Sequence, residues 1–346
     1  MSLELLETIF YRINEYLAEN RQKRIEILWH GGEPLLLGPD YFRSAIQFQE
    51  KHCFMTKNRI NHSIQTNLTC CDNAFVEIFK ELGIASVGTS YDPEPHMRGP
   101  GKGIDSDRYN GLFMKALGLL ERQGIGWHII YVVTKKSLHR PLPIFLFLTN
   151  LSLTGGFSMN PVYICGDERK DIAITPEEYS DFLGAIFPYW WKYRERHPYT
   201  QPFSGLTKNI VEGSGRSEHF GFGICDSAIN NIVIAPDGES SQNGMSLQLE
   251  LPRYGNIGEC TLNAILNNYK VDQFVERVKE LGEKECKDCR FFTLCHDEIS
   301  IENSSEYKIL VTKSEWCRAR IGFIEKYFEP VTGVKFESRK QENCKK

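Results

Sequence analysis

Apolar residues first recur every three or four positions. Leu3, Leu6, Ile9, Phe10, Ile13, Tyr16 and Leu17 fall on one stripe of an amphipathic helix. From residue 25 the pattern changes to short apolar runs separated by helical periodicity. The runs 25–30, 60–65, 85–90, 127–134 and 157–163 predict strands, and 41–51, 75–82, 111–123 and about 142–150 predict helices between them. Gly83 and Gly124 sit where a helix end needs a left-handed residue. Thr175-Pro176-Glu177-Glu178 is a capping box with proline at the first helical position, opening a helix to about residue 191. Strands alternating with helices imply parallel pairing and an α/β fold. Beyond residue 221 the alternation gives way to short strands, turns and clustered cysteines. The chain therefore divides into an α/β domain at 1–220, a small cysteine-rich domain at 221–330 and a charged tail at 331–346.

The carboxyl ends of the five strands are polar. They read Gly31-Gly32-Glu33, Gln65-Thr66-Asn67, Ser90-Tyr91-Asp92, Thr134-Lys135-Lys136 and Asn160-Pro161. Loops at this edge build the active sites of parallel barrels and open α/β sheets. Two glycines let a ligand approach bare backbone, and the adjoining Glu33 can grip an amine. Trp29 and Tyr91 are candidates either for an apolar wall there or for plain core.

Composition narrows the function classes. In 346 residues, 41% are hydrophobic and 25% charged, as in ordinary globular proteins. A net charge of −4 gives no reason to expect a nucleic-acid or membrane-surface partner. The longest apolar run, 143–148, is too short to span a bilayer, and the first residues read as a helix, not a signal peptide. A cytoplasmic protein is expected. Eleven cysteines are many for that compartment, which points to metal. Cys286, Cys289 and Cys295, spaced Cys-x2-Cys-x5-Cys, with Cys317 downstream, make a four-thiolate set for zinc or an iron–sulfur cluster. Spacing does not separate the two metals.

Taken in order, Trp29-His30-Gly31-Gly32-Glu33-Pro34, Gln65-Thr66-Asn67, Ser90-Tyr91-Asp92 and Val132-Val133-Thr134 resemble strands two to five of radical S-adenosylmethionine enzymes. The similar subgroup is the peptide-modifying maturases with a SPASM extension, and the likeness runs from Ile25 to about Phe328. It implies an incomplete parallel (β/α) barrel over 1–220, followed by the small cysteine-rich domain. It also implies that Gly31, Gly32 and Glu33 hold the amino group of S-adenosylmethionine, with Gln65, Asn67, Ser90 and Arg98 on the rest of that cofactor. The substrate implied is a peptide or protein.

The family's Cys-x3-Cys-x2-Cys, which holds the radical-generating [4Fe-4S] cluster, does not occur in this sequence. Cys70 and Cys71 are adjacent, and Cys53 and Cys165 stand alone. The expectation is that the chain as given binds the cofactor only weakly, as a vestige, and does not make the radical alone, unless a second chain supplies the missing strand. In the SPASM pattern the outer cluster ligands match Cys286, Cys289, Cys295 and Cys317, implying one auxiliary [4Fe-4S] cluster, with zinc as runner-up. The inner set begins at Cys225, but Asn243 and Ile299 stand at two of its cysteine positions; Cys260 is a candidate substitute, and Cys344 in the tail has no role. Two functions follow: a peptide maturase, or a non-catalytic binding or scaffold relative that keeps one cluster. A zinc-stabilised α/β protein outside the family is the third.

Overall fold

A computed structural model describes residues 1–101, 103–151, 155–164, 170–212, 231–241, 253–291, 299–302, 310–313 and 316–336. Cys165, Cys225, Asn243, Cys295 and Cys344 lie outside these residues. Six strands form one sheet in sequential order: β1 (Ile25–Trp29), β2 (Ile60–Thr66), β3 (Ser86–Ser90), β4 (Gly126–Val133), β5 (Phe157–Pro161) and β6 (Thr200–Gln201). β1 to β4 pair in parallel, with Trp29 opposite Ile64, Thr66 opposite Thr89 and Ser90 opposite Ile130. β1 is an edge strand of that sheet. The alternation read from the sequence thus gives a parallel α/β sheet, the architecture of an incomplete barrel.

Around the strands run α1 (Leu3–Glu19), α2 (Pro39–Cys53), α3 (Asn73–Glu81), α4 (Ser106–Arg122), α5 (Pro141–Leu151) and α6 (Pro176–Tyr193). Their ends follow the expected chemistry. Gly83 and Gly124 adopt φ of 71° and 69° just past α3 and α4. At α6, Glu178 N–H donates to Thr175 Oγ1 at 3.1 Å while Thr175 N–H donates to Glu178 Oε2 at 2.8 Å, closing the capping box. α4 starts ahead of the apolar stripe that announces it, because Asp105 caps it by accepting from Arg108 N–H at 3.1 Å. β5 stops at Pro161, short of residue 163, and the two-residue β6 has no hydrophobic run to announce it.

The chain forms two compact units. The first holds Met1–Ile130 with Asn230–Asp272. Its core centres on the α1 stripe, where Leu6, Ile9, Phe10, Ile13 and Leu17 are buried. Tyr254, Ile257, Leu262, Ile265 and Val271, from beyond the α/β alternation, complete the cluster. The same stretch of chain carries a three-stranded antiparallel sheet, Val233–Ile234, Glu239–Ser241 and Gly255–Asn256, and the helix Leu262–Leu266.

The second unit holds Tyr131–Ile229 with Gln273–Lys346. Its core is aromatic. Phe187 of α6 lies 5.2 Å from Phe203, 5.4 Å from Phe323 and 5.0 Å from Phe328 between ring centroids. Gly184 admits this packing, since a Cβ there would come within 2.4 Å of the Tyr327 ring.

Candidate functional site

The site is built where β1 and β2 end. After Trp29 the chain leaves the sheet through Gly31, whose φ of 129° disfavours any side chain. Nothing lies within 4 Å of where a Cβ of Gly31 or Gly32 would sit, so bare backbone faces open space. Glu33 then caps the short 3-10 turn Pro34–Leu37 by accepting from Leu35 N–H at 3.1 Å.

Two further donors fix the Glu33 carboxylate. Thr66 donates its hydroxyl to Oε1 at 2.6 Å, and Asn67 donates its backbone N–H to Oε2 at 2.7 Å. Three donors occupy three of the roughly four acceptor directions of a carboxylate. Glu33 is therefore held in one orientation, only partly buried, with acceptor capacity left for an amine.

Strand alternation assigns the neighbours. In β2, Thr66 is buried and Gln65 points to the other face, half-buried. Gln65 crosses over Gly88 of β3 to reach Ser90 Oγ with its amide nitrogen, a long contact of 3.4 Å. A Cβ on Gly88 would meet Gln65 Oε1 at 2.0 Å, so glycine is what allows this crossing. The same face carries Ser63, which donates to Glu26 Oε1 at 2.7 Å. The structure thus brings Gln65 and Ser90 together and sets Glu33 beside Asn67. The side-chain oxygen of Asn67 is committed to Thr69, accepting its N–H at 2.9 Å and its hydroxyl at 2.7 Å.

Arg98 lies after β3, engaged by Asp92: Nε to Oδ2 is 2.5 Å, and the guanidinium sits 5.8 Å from the Tyr109 ring centroid. Burial opposes its charge, yet Asp92 and Tyr109 together hold its pKa above the ordinary arginine value. Tyr109 donates to Ser90 O at 2.8 Å, and burial pushes its own hydroxyl up to about 12. Tyr91 stacks on Phe113 at 4.2 Å and is 2% exposed, and Trp29 packs edge-on to Phe42 at 5.1 Å, so both aromatics are core. Cys71 is a thiol here, pushed up to about 12 by burial, Asp72, Glu33 and Cys70.

Thr66 and Gly88 are site residues that the sequence pattern alone does not pick out. Both leave a signal in it. Thr66 stands inside Gln65-Thr66-Asn67, and Gly88 interrupts a strand, which marks close approach of other groups.

No family model matches the chain. Among curated proteins, a cysteine-type anaerobic sulfatase-maturating enzyme of Clostridium novyi is 25% identical over 346 residues, 96% of this chain and 87% of that enzyme. A serine-type anaerobic sulfatase-maturating enzyme of Bacteroides thetaiotaomicron is 25% identical over 326 residues, covering 86% and 73%. The chain is a homologue of the anaerobic sulfatase-maturating enzymes, radical S-adenosylmethionine proteins with a SPASM extension.

The fold agrees with that family. A solved sulfatase-maturating enzyme, anSMEcpe with bound S-adenosylmethionine and a peptide, superposes with TM-score 0.78 at 21% identity, over 96% of this chain and 90% of that one. Streptococcus suis SuiB bound to S-adenosylmethionine gives TM-score 0.55 at 15% identity, over 89% and 69%. Radical S-adenosylmethionine proteins use that cofactor and iron–sulfur clusters. The open Gly31–Gly32 backbone and the oriented Glu33 fit the cofactor's amino group.

The cysteines are less gathered. Cys289 N–H donates to Cys286 O at 3.0 Å, forming a tight Cys-x2-Cys turn. Cys317 is buried at the start of the helix Cys317–Phe323. Among the described residues, no group of three or more His, Cys, Asp or Glu side chains is placed to hold a metal ion. No described helix is long and apolar enough to cross a membrane.

Proposed function

We propose that this protein is a radical S-adenosylmethionine maturase that modifies a peptide or protein substrate. The observation that carries the reading is Glu33, fixed by Thr66, Asn67 and Leu35 beside exposed glycine backbone. In this reading Gly31, Gly32 and Glu33 take the cofactor's amino group, while Gln65, Asn67 and Ser90 bind its ribose or adenine edge through amide and hydroxyl groups. Arg98 positions the loop after β3 through Asp92. When bound to a reduced cluster, the cofactor supplies a carbon radical that abstracts hydrogen from substrate. This chain's residues bind and orient it.

The likeness to a peptide-bound enzyme supports a peptide substrate. One auxiliary [4Fe-4S] cluster on Cys286, Cys289, Cys295 and Cys317 belongs to the same reading, within the 221–330 segment, and so does a cytoplasmic location. The 346 residues contain no Cys-x3-Cys-x2-Cys, and that favours a second reading: these residues by themselves bind cofactor and substrate without cleaving S-adenosylmethionine. Anaerobically reconstituted protein, incubated with dithionite and S-adenosylmethionine, separates the two. 5′-Deoxyadenosine formed by this chain alone supports the maturase; cofactor binding with no cleavage supports the non-catalytic reading. Absence of cofactor binding removes both.

A further inference from the structure

A cleft opens in the second unit at the carboxyl ends of β5 and β6, which pair in register, Ser158 opposite Gln201. Each strand ends in an amide residue followed by proline, Asn160-Pro161 and Gln201-Pro202. Proline has no N–H for the ladder, so pairing stops there. Gln201 Oε1 accepts from Gly205 N–H at 3.2 Å, so the donor of that amide is the group it has to offer.

Aromatic rings wall the cleft. Trp316 is edge-on to Tyr163 at 5.5 Å and to Tyr179 at 5.9 Å between centroids. Tyr179 is fixed by donating its hydroxyl to Met159 O at 2.5 Å, whereas Tyr163 is 52% exposed. The empty space in the cleft is about 700 Å³, enough for one or two amino-acid side chains. Arg320 is the one charged side chain among the described residues that line it, and none of them is acidic.

We propose that this cleft is a peptide subsite that takes an aromatic side chain adjoining a carboxylate residue. The rings and prolines give the aromatic group offset or edge contacts, which add to the gain from burial alone. The amides of Asn160 and Gln201 suit main-chain peptide groups, which need partners once desolvated. The Arg320 guanidinium favours a carboxylate over an ammonium at the cleft. The inference rests on the peptide-modifying reading and names a preference within it.

The test uses the full chain and acetylated, amidated octapeptides of glycine and serine with a central Phe-Asp, Phe-Lys or Ala-Asp, their binding followed by calorimetry. Phe-Asp should bind at least tenfold more tightly than either of the others. Tyr163→Ala, at an exposed position, should weaken Phe-Asp at least fivefold, and Trp316→Leu at least as much, with circular dichroism showing the fold retained. Arg320→Gln should abolish the preference for Asp over Lys while keeping that for Phe over Ala. None of these variants should change the affinity for S-adenosylmethionine. Equal binding of the three peptides, or no response to Tyr163→Ala and Arg320→Gln, overturns the subsite even where cofactor binding is intact. Peptide selectivity without any cofactor binding upholds the subsite and overturns the maturase reading instead.

Discussion

Thr66 donates its hydroxyl to Glu33 Oε1 across 2.6 Å while accepting the backbone N–H of Leu68 at 3.0 Å. One buried hydroxyl thus ties the end of β2 to the turn after β1. Thr66→Val keeps the shape and removes both functions. It leaves Leu68 N–H short of a partner, at a cost of about 1–3 kcal/mol in stability. It also loosens the carboxylate, so S-adenosylmethionine affinity should fall severalfold. Urea unfolding and cofactor titration on the same variant check both; an unchanged affinity contradicts the positioning role.

Gly88 lies beneath the Gln65 side chain, where a methyl would sit 2.0 Å from Oε1. Gly88→Ala forces Gln65 off Ser90. Overpacking of this kind costs about 1–3 kcal/mol. The melting temperature should drop accordingly, and combining Gly88→Ala with Gln65→Ala should recover most of the loss. A double variant no more stable than Gly88→Ala alone rules out this contact as the cause.

His62 sets the acid limit of the first unit. Trp29 donates its indole N–H to Nδ1 at 3.2 Å, and Nε2 lies 2.6 Å from Gln49 Oε1, an arrangement suited to the neutral ring with its proton on Nε2. Burial lowers its pKa from 6.5 to about 4. Between those values the unfolded chain binds the extra proton and the folded one does not, so stability is full above pH 6.5 and falls as pH drops toward 4. The loss amounts to about 3 kcal/mol at most. Denaturation midpoints measured from neutral pH down to the folded-state pKa should fall in the wild type and fall less in His62→Gln; parallel curves would assign the effect elsewhere.

Much of this is readable from the sequence because it is local. Gly83, Gly124 and the Thr175–Glu178 box each act within one helix end, and the Gly31-Gly32-Glu33 turn carries its own backbone chemistry. What the sequence hides is set by distant partners. Tyr254, Ile257 and Leu262 join the α1 core, and Asn263 donates to Glu19 at 3.2 Å across 244 residues of chain. No periodicity within residues 230–272 names α1 as the partner. β6 escapes notice because two residues carry no alternation. Thr66 reads as an ordinary buried strand residue until Glu33 is set opposite it.

Iron content tests the cysteine assignment. Anaerobic reconstitution should load about four irons per chain on the auxiliary site, an expectation from the four-thiolate cluster type. Cys286→Ser should abolish most of it. Zinc in place of iron, or iron unaffected by Cys286→Ser, would remove the cluster from the proposed function.

Whether Glu33 grips the amine of S-adenosylmethionine is decided by calorimetric titration of wild type and Glu33→Gln with that cofactor. Glutamine keeps the size and an acceptor oxygen but loses the charge, and a charge-assisted hydrogen bond is about twice as strong as a neutral one. The wild-type chain should bind no more tightly than about 100 μM, and Glu33→Gln should weaken that at least tenfold, about 1.4 kcal/mol. Equal affinity of the two proteins would contradict the amine-binding role of Glu33.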